Sequence, residues 1–243
     1  MKKMADSRVR TIQEDLLRQC LAPWPRRGKT LLEVNCGAGN FLPMLWECGF
    51  DVTGTESSLE LRKEARSLAG RMAEVEAAED AHLPFADDYF DWVVLHLADT
   101  RQEAGISIQE AFRVALRGLA VTFWNSFSLP FLLQRLPGRG RDFPHPFYKW
   151  WHVWRQLKKL HAGTVTCRSA FPLFTGYGRR AAGVAPACPC PLPLGAWVVL
   201  RMDMGRPQPV TPLQLRISRG SLHGPEPVME YGQRRISNRR MEE

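Results

Sequence analysis

Two carboxylates and two bare backbone positions carry the chemistry legible in this sequence. Glu33, Gly37 and Gly39 lie in EVNCGAG, and Glu56 follows Gly39 by 17 residues, closing DVTGTE. Glycines in a turn after a strand let main chain approach a ligand closely, and the carboxyl end of an open α/β sheet is where such folds bind. A dinucleotide fingerprint would need a third glycine at position 42, where this chain has Leu42. A carboxylate inside the motif would repel a pyrophosphate and attract an amine-bearing or cationic ligand. Glu56 stands where a carboxylate can accept both hydroxyls of a ribose. Together these residues ask for a cationic nucleoside.

The elements around them follow a strand-helix rhythm. Val9, Ile12, Leu16, Leu17 and Cys20 recur at helical spacing before Pro23 and Pro25, which predicts a cap helix within residues 1–29. TLLEVN from Thr30 is a strand, CGAGN a tight turn, and Phe41, Leu42, Leu45 and Trp46 resume helical spacing, with Asn40 as the expected N-cap and Pro43 in the first turn. DVTGTE is a second strand, and SSLELRKEARSLAG a charged helix capped by Ser57 or Ser58. MAEVEA and DWVVLHL supply two more strands. A helix marked by Ile108, Phe112, Ala115 and Leu116 precedes the strand GLAVTFW from Gly118. The expected fold is α/β, a Rossmann-like doubly wound sheet of mostly parallel strands.

After Trp124 the rhythm lapses. Residues 126–146 are rich in Pro, Gly, Phe and Arg, and a helix is expected from about Phe147 to His161, so 126–163 reads as an inserted lid. On that helix Trp150, Trp154, Leu157 and His161 share one face, expected to pack on the sheet. TVTCRSAF and AWVVLRMDM complete the sheet, ending the domain at residue 204. Residues 205–243 read as a basic tail with little core to bury.

Composition limits the possible classes. The chain has 243 residues, 44% hydrophobic and 24% charged, which suits a globular protein. Its six cysteines show no paired framework, MKKMADSRVR lacks the apolar stretch of a signal peptide, and the uncharged run 181–200 holds four prolines, so a cytoplasmic protein without a membrane span is expected. Cys188 and Cys190 lack a second ligand pair, and no metal centre is expected. The net charge of +8 is uneven: residues 1–99 carry 12 Lys/Arg against 17 Asp/Glu, and residues 100–204 carry 14 against 4. A basic half of this kind suits a solvated face, an anionic substrate or nucleic acid.

Four ordered blocks resemble the class I S-adenosylmethionine-dependent methyltransferases, in particular their type 11 small-molecule group: EVNCGAG, VTGTE, EDAHLPFADDYFDWVVLHL and GLAVTFWNSFSL. The resemblance implies a seven-stranded sheet with its last strand antiparallel and S-adenosyl-L-methionine as cofactor. It places Gly37 and Gly39 around the methionine part, Glu33 near its ammonium, and Glu56 with Ser57 at the ribose. Asp80 and Ala81, or Glu79 by a one-residue shift, would meet the adenine, and His96 with Leu97 would close the site beneath the methyl group. Asn35 stands where the family has glycine, and Asn is the side chain that best tolerates positive φ.

The implied activity is in-line methyl transfer to a small-molecule acceptor. Candidate substrate residues are His96, Asn125, His145 and Trp150, with His96 or His145 able to serve as a base if the acceptor is a phenol or amine. Two other readings stay open at this stage. One is a degenerate cofactor-binding interaction or regulatory module; the other is an RNA-directed methyltransferase using the basic, aromatic segment from Arg135.

Overall fold

Hydrophobic strands alternating with amphipathic helices bury both faces of one sheet. The computed structural model describes residues 2–97, 104–128, 131–132, 147–170 and 191–205, and side chains for all of these except 2–8 and 147. In chain order the elements are α1 (Lys2–Leu21), β1 (Thr30–Val34), α2 (Leu42–Glu47), β2 (Asp51–Thr55), α3 (Leu59–Ala69), β3 (Ala73–Glu76), β4 (Phe90–His96), α4 (Ala104–Arg113), β5 (Ala115–Asn125), β6 (Phe147–Tyr148), α5 (Trp150–Leu160), β7 (Thr164–Ala170) and β8 (Trp197–Asp203). Seven strands lie in the order β3-β2-β1-β4-β5-β8-β7. β1 to β5 pair in parallel, while β8 runs antiparallel to both β5 and β7. The expected architecture, with its reversed last strand, is the one observed.

The order reverses direction between β1 and β4, so the carboxyl ends of β1, β2 and β4 open a crevice at the point where such sheets bind ligands. Two cores flank the sheet. Leu17 and Leu21 of α1 and Leu42 and Leu45 of α2 pack with Leu31, Trp92, Val94 and Val199 on one face. Ile108 and Ala111 of α4 and Val153 and Leu157 of α5 pack with Leu32, Val93, Leu95, Leu119 and Leu200 on the other. Each fully buried Leu or Phe contributes about 1.5–3 kcal/mol of transfer free energy. Among the described residues no helix is long and apolar enough to cross a membrane.

Several local expectations need correction. The N-cap of α2 is Phe41 and not Asn40, and no side chain bonds across it; Pro43 sits in the first turn as expected. Of the two caps expected for α3, Ser58 is the one used, accepting from the Leu61 N–H. α4 ends at Arg113, so Ala115 and Leu116 open β5 instead of closing the helix. The reason is Arg113 itself, whose guanidinium reaches the carbonyls of Leu83 and Phe85 and the carboxylate of Glu110, anchoring the helix end to the loop before β4.

The described part of the expected lid belongs to the fold. β6 pairs in parallel with Trp124 and Asn125 of β5. β8 occupies the other edge of Trp124, so β6 continues the β4 side of the sheet beyond β4's last residue. α5 packs against α4 and the sheet through Val153 and Leu157, with Trp150 and Leu160 partly buried, while Trp154 is 38% exposed. The buried stripe is therefore 150, 153, 157 and 160. Residues 133–146, including His145, and the tail from 206 lie outside the described residues, as do Cys188 and Cys190.

Candidate functional site

The turn after β1 is built from positive-φ residues: Asn35 at 58°, Gly37 at 57° and Gly39 at 77°. At Gly39 a Cβ would meet the Ala65 Cα at 2.9 Å, so α3 packs directly on bare backbone. At Gly37 a Cβ would meet nothing within 4 Å; there the backbone sign alone favours glycine, and the Cβ position faces open space. Cys36 N–H donates to the Thr55 carbonyl at 3.0 Å, which ties the turn to the end of β2. Burial pushes the Cys36 thiol up, and the neighbouring Glu33 and Glu56 carboxylates push it further.

Glu56 holds that turn from the next strand. One carboxylate oxygen accepts from the Gly37 N–H at 2.8 Å and the other from the Ser58 N–H at 3.0 Å. It is buried, and each oxygen keeps a further lone pair. The exposed Ser57 stands beside it, its carbonyl accepting from Arg62.

Glu33 is fully buried. Its Oε1 meets His96 Nε2 at 2.8 Å, and His96 Nδ1 meets Thr122 Oγ1 at 2.6 Å. Alternation puts Glu33, His96 and Thr122 on the face that carries α1 and α2, as a polar row crossing β1, β4 and β5. A ring that donates Nε2–H to the carboxylate can accept at Nδ1 from the Thr122 hydroxyl. Phe41 stacks on the His96 ring at 5.1 Å and 18°, and on Trp197 at 6.2 Å and 14°. Glu33 Oε2 has no hydrogen-bond partner among the described residues; Thr55 Oγ1 is the other buried side-chain atom in that state. A buried acceptor left without a donor costs about 1–3 kcal/mol, more if charged, so Oε2 is a built-in demand for a donor.

Asn35 closes the remaining side. Its Nδ2 donates to Asp80 Oδ2 at 2.8 Å and to the His96 carbonyl at 3.0 Å. Asp80 and Ala81 are half-buried, whereas Glu79 is exposed and pairs its backbone with His82. The structure thus gathers Glu33, Asn35, Gly37, Glu56, Asp80 and His96 around one turn. Asn125 does not join them as a substrate residue. It is fully buried, its Nδ2 donates to the Pro193 and Gly195 carbonyls, and its Oδ1 accepts from the Phe127 N–H. That amide is spent on fixing the end of β5. Trp150 packs against the core beneath α5 and edge-on to Trp151. Thr122 and Phe41 were not singled out in the sequence; the signal for Phe41 was an aromatic residue directly after the glycine turn, while Thr122 reaches the site only through strand register.

Residues 32–119 match a protein-family profile described as a methyltransferase domain. Over that stretch the chain is similar to methyltransferase domains. S-adenosylmethionine is the methyl donor of this family. Solved structures of the same fold include an S-adenosylmethionine-dependent methyltransferase, described as a possible histamine N-methyltransferase, from Thermotoga maritima. It is 17% identical, with 80% of this chain and 89% of that one covered at a TM-score of 0.60. Magnesium protoporphyrin IX methyltransferase from Synechocystis, solved with bound SAH, is 17% identical over 82% of this chain and 85% of that one, at a TM-score of 0.61. A [4+2]-cyclase, SpnF, shares the fold at 18% identity over 65% of this chain and 58% of that one, at a TM-score of 0.50. No curated protein matches this chain in sequence. The cyclase shows that the fold alone does not set the chemistry.

The residues of the site fit the methyltransferase cofactor. An unpartnered buried oxygen on Glu33 suits an ammonium, and the spare lone pairs on Glu56 suit two hydroxyls.

Proposed function

We propose that this chain binds S-adenosylmethionine at the tips of β1, β2 and β4 and directs its methyl group to a small-molecule acceptor. The observation that carries the reading is the buried Glu33 carboxylate with one oxygen free, set beside a turn whose backbone is pinned by Glu56. In this reading Glu33 Oε2 receives the ammonium, Glu56 the ribose hydroxyls, and Asp80 with Ala81 the adenine. Asp80 is preferred over Glu79 because it is the acid held inward by Asn35.

The cofactor supplies a methyl group already activated on a sulfonium, so what the protein must add is in-line alignment and exclusion of water. His96 serves as a positioning residue: both ring nitrogens are engaged, one on Glu33 and one on Thr122, which leaves no lone pair for an acceptor's proton. A small acceptor is supported by the names of two neighbours, a possible histamine N-methyltransferase and a magnesium protoporphyrin IX methyltransferase.

Titration calorimetry with S-adenosylmethionine tests the site. Wild type binds, and Glu56→Ala binds at least about tenfold more weakly while keeping its fold, since two hydroxyl contacts and the pin on Gly37 are lost. Equal affinity in both proteins removes Glu56 from the site. Methyl-labelled cofactor incubated with fractionated cell extract tests the acceptor: label is expected in the low-molecular-mass fraction, and label in RNA would overturn the small-molecule reading.

A further inference from the structure

We infer that Asn35 is a clasp that positions Asp80, drawing the turn after β1, the loop after β3 and the end of β4 onto one side-chain amide. The inference rests on the cofactor site proposed above. Asp80 lies in the connection from β3 to β4, and β3 is separated from β1 by β2, so no strand ladder sets the distance between Asp80 and the glycine turn. The Asn35 amide sets it instead, donating one N–H to Asp80 Oδ2 at 2.8 Å and the other to the His96 carbonyl at 3.0 Å. Both partners are pure acceptors, so Nδ2 and not Oδ1 must face them.

The backbone at Asn35 is left-handed, φ 58°, a conformation that Asn adopts more readily than other side chains and glycine more readily still. Glycine would therefore make the same turn but neither hydrogen bond. It is the side chain at this position, not the turn, that the site uses. A hydrogen bond to an ionised carboxylate is short and directional, so it holds Asp80 in one orientation with Oδ1 left for the ligand. Because the second N–H rests on the residue that bonds Glu33, the acid on the adenine side is tied to the ammonium side through a single amide.

The experiment is a double-mutant cycle in the full chain, with S-adenosylmethionine as titrant and thermal melting as the second readout. Asn35→Gly is expected to melt near wild type and to bind about tenfold more weakly, the scale of one charge-assisted hydrogen bond. In the Asp80→Ala background Asn35→Gly is expected to cost nothing further, because residues acting through one contact are not additive. Asn35→Asp, which keeps the shape and sets a carboxylate against Asp80, is expected to bind more weakly than Asn35→Gly. Equal or tighter binding by Asn35→Gly overturns the clasp, as does a loss that simply adds to that of Asp80→Ala. Wild type without affinity overturns the cofactor site as well. A wild type that binds, loses affinity in Glu56→Ala and is indifferent to Asn35→Gly overturns the clasp alone.

Discussion

The buried acids Glu33 and Glu56 both act on the Cys36 thiol, and that effect is directly measurable. Burial raises the thiol, and the charges of Glu33 and Glu56 raise it further, so at pH 8 the nucleophilic thiolate is scarce. Cys36 is expected to stay unalkylated by iodoacetamide in the native protein and to react once it is denatured, which peptide mass spectrometry reads directly. Spacing in the sequence sets Glu33, Gly37 and Gly39 on one strand-turn-helix unit and Glu56 at the end of the next strand, and the structure brings Glu56 onto the Gly37 N–H. His96 was named beside them from the sequence, but its attachment was not legible there. The Thr122 hydroxyl that holds it comes from a strand 26 residues away, and only the pairing of His96 with Thr122 brings the two together. For the same reason Asn125 reads as a candidate substrate residue in sequence, while its amide closes on the Pro193 and Gly195 carbonyls.

The strands were legible as elements because each is a short apolar run bounded by turn residues, whereas helix faces were less so. On α5 the sequence suggests a stripe through Trp150, Trp154, Leu157 and His161; Leu157 is buried and Trp150 partly so, but the core also takes Val153 and leaves Trp154 38% exposed. Large rings dominate a hydrophobic pattern but fit a flat, close-packed sheet less readily than branched aliphatics do. The two faces differ in consequence. Leu157→Ala is expected to destabilise by about 2–5 kcal/mol. Trp154→Ala is expected to fall within about 0.5 kcal/mol of wild type. Urea denaturation of the pair checks it, and a larger loss for Trp154 would mean that the helix is rotated from the arrangement described.

For the whole molecule, stability is tied to pH through two carboxylates that brace the ends of β4 and α4. The Arg113 guanidinium holds Glu110 below its ordinary value against burial. Burial pushes Asp91 up, but hydrogen bonds from Lys29, Arg117 and the Thr30 N–H outweigh it and leave the group lowered. A carboxyl lowered in the folded state stabilises above its unfolded value and loses that contribution as pH falls through the folded one. Melting temperature is therefore expected to fall as pH drops from about 5 towards 3, and Arg113→Met is expected to flatten part of that fall. A melting temperature unchanged over that range would contradict the bracing. The parallel sheet was readable from the order of motifs alone; the basic second half was visible only as a charge balance.

β6 gives the molecule a further property. The chain leaves β5 after Asn125, and Phe147 and Tyr148 pair with Trp124 and Asn125 again, the Ser126 N–H donating to the Tyr148 carbonyl. Trp124 meets β6 on one edge and β8 on the other, so a change at that one position disturbs three strands at once.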